Sequence, residues 1–395
     1  MVVQDKFVTL LCTALFSASV SVHAAKGPPL RTGLWVTQKT SEAAANLSRF
    51  ESEIRTNPSL SGVCLTASWN EIEKAPGQID FSAIEKAIGV LRRLNIKYEL
   101  ALKPGVDTPS YVFEQGAQSF ETSVSNPHRA NFGQAVRIPI PWDPIYQRNF
   151  SRVIQELGKR YSSDKLCVGV VLTCANFMSK EMHLPKRAAD RARWHATGDY
   201  ATNLRQVYHK YIDEWAKAFP KQALSLHLAK VADLPLSFNE EVIQYGLSKY
   251  PERFTIQNCQ LTGRKEDMGR MSYDLILNFG DRVHHGFQSV AGFSRHGERM
   301  GSMEMAALNI VHAGGEYWEV WHGDGTKAAT SAAILKAWQE AKKLGYQNYK
   351  QKLMTDGRYR ATDDYRRPGR ARGRGRARNQ EPEPANQEGE EIPET

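Results

Sequence analysis

Residues 166–185 read LCVGVVLTCANFMSKEMHLP, an apolar run from Val168 to Thr173 that opens into a polar segment carrying Asn176 and Glu181. The run is built from Gly, Leu and β-branched residues. That composition suits a strand buried on both faces, as strands of parallel sheets are. In parallel α/β folds the ligand site lies at the carboxyl ends of the strands, so Asn176 and Glu181 stand where functional groups are placed.

Working outward from this strand, the same pattern recurs on both sides. Strand-length apolar runs occur at Gly33 to Val36, Gly62 to Ala67, Tyr98 to Leu102, Leu224 to Leu228, Phe254 to Cys259, His285 to Val290 and Tyr317 to Trp321. With Val168 to Thr173 they number eight. A stretch of helical period follows each. Ile84, Ala87, Ile88, Leu91 and Leu94 share one face of the second helix, and Ile145, Phe150, Val153, Ile154 and Leu157 share one face of the third. Eight strand-then-helix units of about 40 residues match the closure count of a barrel better than a doubly wound sheet. The expected fold is therefore α/β, a (β/α)8 TIM barrel over 26–350, with long loops after strands 3 and 4 (103–143 and 174–199).

The two ends differ from this body. An apolar run from Phe7 to Val22, then His23-Ala24, resembles a secretory signal peptide over 1–24, which implies a secreted or periplasmic protein with no transmembrane segment after cleavage. Residues 358–395 carry an Arg/Gly-rich piece, RRPGRARGRGRAR, and then an acidic one, so a disordered tail is expected there. The formal charge is +9, but the tail's nine arginines face eight acids, so the excess lies in the body. A polyanion contact through the Arg/Gly segment is one implication; nucleic acid is not an expected partner. Cys64, Cys167, Cys174 and Cys259 lie in or beside apolar runs and read as buried thiols. Seven residues of strand span ~23 Å, too far for a Cys167–Cys174 bridge.

No GxGxxG follows a strand and no GxxxxGK[ST] occurs, so no nucleotide cofactor is implied. The histidines form neither HxH nor HExxH, so neither a metal nor any other cofactor is expected. No GxSxG turn is present to carry a serine nucleophile.

From Trp69 the sequence runs WNEIEKAPGQIDF, and later ELALK (Glu99 to Lys103) and TPSYV (Thr108 to Val112). These segments resemble the second and third units of the large clan of (β/α)8 glycoside hydrolases that includes family 42 β-galactosidases and endoglucanase-like enzymes. The resemblance implies a carbohydrate substrate, a catalytic acid after strand 4 and a nucleophile at strand 7. Sugar rings lie on aromatic faces while their hydroxyls meet polar side chains. Trp69 and Trp321, which close their strands, are the expected platforms; Asn176, His183, His227, Gln257 and Gln288 are the expected polar contacts.

Glycoside hydrolysis usually takes two carboxyl groups flanking the bond. Where the clan carries Asn-Glu after strand 4, this chain has Asn176-Phe177, and its first carboxylate is Glu181. Gln288 stands near the strand 7 nucleophile position, and a carboxamide cannot serve there. The remaining carboxylate is Glu319 in YWEVW; between Trp318 and Val320 it must be either partnered or raised in pKa. The expected mechanism pairs Glu181 as acid with Glu319 as second carboxylate, cleaving a β-linked oligo- or polysaccharide. Gln288 and the missing Asn-Glu pair favour an alternative, a catalytically inactive barrel that binds carbohydrate.

Overall fold

A computed structural model describes residues 27–125, 131–264 and 271–359. The expected leader and nearly all of the expected tail lie outside them. Eight parallel strands, β1 (Gly33–Lys39), β2 (Leu60–Ser68), β3 (Lys97–Lys103), β4 (Cys167–Val171), β5 (Ala223–Leu228), β6 (Phe254–Leu261), β7 (His284–Ser289) and β8 (Tyr317–Trp321), close into a barrel. Each strand pairs with its neighbours in sequence, and β8 closes on β1 with Trp35 opposite Glu319. The (β/α)8 expectation is met strand for strand. Around the barrel run α1 (Leu47–Arg55), α2 (Ser82–Leu94), α3 (Pro144–Tyr161), α4 (Tyr200–Ala218), α5 (Leu236–Lys249), α6 (Met271–Phe279), α7 (Met303–His312) and α8 (Ala328–Leu344). A further helix, Tyr346–Thr355, runs beyond residue 350 and buries Tyr349 and Leu353.

Alternation along each strand divides the interior in two. Val36, Val63, Leu65, Leu100, Val170, Leu226, Ile256, Phe287 and Val320 join one apolar layer with the helices. The opposite faces form the inside of the barrel, where Trp35, Val168 and Tyr317 make a separate small cluster. Gly62 admits the Trp35 ring: a Cβ there would stand 2.4 Å from it. Local signals start the helices. Asp143 accepts from the amides of Ile145 and Tyr146 ahead of Pro144 at the first turn of α3, and Ser302 accepts from Met305 N at α7.

The loops after β3 and β4 hold structure of their own and pack on each other. The first carries a short helix (Ser110–Glu114) and a hairpin of Ser119–Ser123 with Ala135–Pro139; the second carries a helix, Ala188–Ala196. Thr122 donates to Asp190 at 2.7 Å, and Phe120 meets Trp194 edge-on at 4.6 Å. Gly105 sits at φ 69° against the backbone of Asn176 and Phe177, and Val106 N donates to Phe177 O at 2.9 Å. This approach fixes the β4 loop over the barrel mouth. Among the described residues no helix is long and apolar enough to cross a membrane.

Candidate functional site

Glu319 points inside the barrel, fully buried, and it is partnered. Oε2 lies 2.6 Å from Arg31 Nη2 and Oε1 lies 2.7 Å from Lys180 Nζ. Arg31 precedes β1 and enters from the amino end; Lys180 follows β4 and enters from the carboxyl end. The second amino group of Arg31 reaches Glu99 on β3 at 2.5 Å, while its guanidinium lies between the rings of Tyr317 (4.0 Å) and Trp35 (4.8 Å). Lys180 Nζ also meets Thr37 Oγ1 at 3.1 Å and Cys64 Sγ at 3.3 Å. Two cations and two anions thus neutralise one another in the barrel centre.

Burial would push the Glu319 carboxyl up, but the Lys180 and Arg31 charges reverse that and hold it down at about 2. Burial works against the charge of Lys180, and its neighbours, Glu319 among them, more than offset the loss, so its pKa is raised. Glu99, which has Arg31 as its ion-pair partner, is pushed upward by burial. Ligand atoms of Cys64, Glu99 and Glu319 lie within 4.8 Å of one another, spacing that suits a cation. The Lys180 ammonium and the Arg31 guanidinium supply that charge.

The expected acid, Glu181, is half-buried at the mouth, and its charge helps raise the pKa of the Cys259 thiol on β6, though burial is the larger cause. Its neighbour Lys180 descends to Glu319. The expected pairing of Glu181 with Glu319 does not form an open two-carboxylate site. An ammonium covers one oxygen of Glu319, a guanidinium covers the other, and neither oxygen can reach a sugar.

The expected polar contacts divide by access. His227, Gln257 and Gln288 meet on β5, β6 and β7: Gln257 Nε2 is 3.3 Å from His227 Nδ1 and donates at 3.3 Å to Gln288 Oε1 and at 3.3 Å to Cys259 Sγ. All three are buried beneath the β4 loop, which Met182 N ties to His227 O at 3.0 Å. Burial and the Lys180 charge lower the His227 pKa well below its usual value, so it is neutral. His227 Nε2 and Gln257 Oε1 have no hydrogen-bond partner among the described residues. Asn176 is spent on the loop, accepting from Cys174 N at 2.7 Å and donating to Glu181 O. It is a loop staple rather than a sugar ligand.

Trp69 corrects its expectation as a platform. It is fully buried, donates to Glu73 at 2.9 Å and packs on Tyr146 and Phe150, leaving no open face. Trp321 is partly exposed at the mouth, its indole N–H held by Ser289 O at 2.7 Å, and His183 is half-buried against Phe177. Glu181, His183 and Trp321 keep access to solvent. Arg31, Glu99 and Lys180 were not among the expected site residues, although a carboxylate inside the apolar run of β3 was a readable signal. The four described cysteines are buried free thiols.

No protein-family model matches the sequence, and no curated protein matches it. Solved structures do. A β-galactosidase from the psychrophilic Marinomonas ef1 aligns with a TM-score of 0.52 at 10% identity over 82% of this chain. The catalytic domain of a β-amylase from Paenibacillus polymyxa aligns with 0.52 at 9% identity, covering 80% of this chain and all of that one. What this likeness shows is the fold. The chain spans 60% of the Marinomonas enzyme's length and 56% of that of a cold-adapted β-galactosidase from Rahnella sp. R3, which aligns with 0.50 at 10% identity over 79% of this chain.

Proposed function

We propose that the protein is an exported, carbohydrate-active barrel of the glycoside hydrolase type, which takes an oligo- or polysaccharide across the mouth formed by the loops after β3, β4 and β8. Within that class, glycan binding is favoured over two-carboxylate hydrolysis. One observation carries this: both oxygens of the buried Glu319 are held by cations, 2.6 and 2.7 Å away. A nucleophile or general base must meet the anomeric carbon or its water, and Glu319 meets neither. Trp321, partly open at the end of β8, supplies an apolar face for a sugar ring, and His183 and Glu181 supply polar groups from the loop after β4.

The test is a melting-temperature panel of neutral and acidic oligosaccharides on the wild type and on Trp321→Ala. A glycan that stabilises the wild type and not the variant supports binding at this mouth. A panel without any shift sinks it. A second reading, hydrolysis with Glu181 as the acid, is favoured by the half-buried placement of that carboxylate at the mouth. It requires product release that Glu181→Gln abolishes.

A further inference from the structure

Beside the mouth, between the loops that follow β2 and β3, lies a cleft of about 580 Å³. Asn70 and Lys74 come from the β2 side, Phe113 and Glu114 from the short helix after β3, and Arg137 from the hairpin. The space is that of a small-ligand site.

The charges around it are unevenly compensated. Lys103, at the end of β3, pairs with Asp107 at 3.3 Å. Lys74 and Arg137 are exposed and have no carboxylate at ion-pair distance among the described residues; Glu121 stands opposite Arg137 on the hairpin, and Asp80 is near enough to Lys74 for its carboxyl to be lowered in part by that charge. Arg137 is nevertheless fixed: Nε donates to Ser119 Oγ at 2.7 Å, and the guanidinium lies 4.4 Å over the Phe113 ring. That leaves its two terminal amino groups as a fork of set orientation, the geometry that receives a carboxylate or a sulfate. Glu114 is the acid in the wall, so the two cations leave a net positive cleft, with Asn70 as an amide partner for hydroxyls. Eight of the chain's nine excess positive charges also lie ahead of Arg358.

We infer that this cleft is a subsite for an anionic sugar unit, and that the barrel's ligand is therefore an acidic glycan bearing carboxylates or sulfate esters. This rests on the carbohydrate reading of the mouth and narrows it. Arg137 holds the anionic group through its fork, Lys74 adds a second positive charge, and Asn70 and Glu114 take ring hydroxyls.

The test is calorimetric titration of the full chain with three probes: an oligogalacturonate, its methyl-esterified and hence neutral counterpart, and a sulfated galactan oligomer, each with the wild type and with Lys74→Met/Arg137→Met. The wild type should bind one acidic probe about tenfold more tightly than the neutral one, consistent with two exposed charge contacts. The variant should lose that preference while keeping the wild-type melting temperature. Preference for the oligogalacturonate assigns carboxylate, and preference for the galactan assigns sulfate. Equal affinity for acidic and neutral probes, or an undiminished preference in the variant, overturns the anionic subsite and leaves the carbohydrate reading standing. Binding of none of the three overturns both.

Discussion

Replacing Lys180 with Met and Glu319 with Gln together should destabilise the protein by clearly less than the sum of the two single replacements. In the wild type, Arg31 and Lys180 balance Glu99 and Glu319 inside the barrel. Lys180→Met leaves two buried carboxylates to share one guanidinium, a net negative charge in a site closed to water. Glu319→Gln leaves two cations facing one carboxylate. Each single change breaks a buried pair and should cost about 3–5 kcal/mol. The double variant keeps the neutral Arg31–Glu99 pair and removes the unbalanced charge, so its cost should fall below the sum of the singles by about 2–4 kcal/mol. Urea titration followed by tryptophan fluorescence reads all four corners of the cycle. The Lys180→Met penalty should also shrink as the pH falls, because the Glu319 pKa rises once the ammonium is gone and a protonated Glu319 no longer needs it. Additivity within about 0.5 kcal/mol would show that the two residues do not form the pair described.

Three further outcomes follow from the same geometry. The wild-type advantage over Glu319→Gln should be full above pH 4.5 and fade as the pH falls toward 2, because the folded carboxyl is depressed from 4.5 to about 2; acid titration of the two proteins checks this. Gln288→Glu, opposite Glu319 across the β7–β8 ladder, should place a third carboxyl in the barrel and lower the melting temperature, with the loss relieved in acid; an unchanged melting temperature at pH 7 would contradict that placement. Asp143→Ala should cost about 1 kcal/mol in denaturant through loss of the α3 cap.

The barrel was legible because each of its strands is a short run of β-branched and apolar residues followed by a helix with a clear apolar face. The loops were not. Lys180 and Glu181 are neighbours, and which of them enters the barrel depends on a loop backbone set by Asn176 and by the approach of Gly105, neither of which has a period to read. Arg31 lies ahead of the first strand, outside any repeating unit, and its role depends on two glutamates 68 and 288 residues away. Trp69 and Trp321 both end strands, yet Trp69 is drawn under α3 by Tyr146 and Phe150 whereas Trp321 stays at the mouth. The setting of Glu319 was readable in kind: an apolar neighbourhood demands a partner, and the structure supplies two. The helix at Tyr346–Thr355 escaped because only Tyr349 and Leu353 mark its buried side.

The most direct measurement is product analysis on aryl β-glycosides and soluble neutral and acidic polysaccharides, run beside binding titrations with the same glycans. The account predicts saturable binding of a glycan, lost in Trp321→Ala, with no sugar released. Sugar release that disappears in both Glu181→Gln and Glu319→Gln, with both variants still folded, would contradict it and restore the two-carboxylate mechanism.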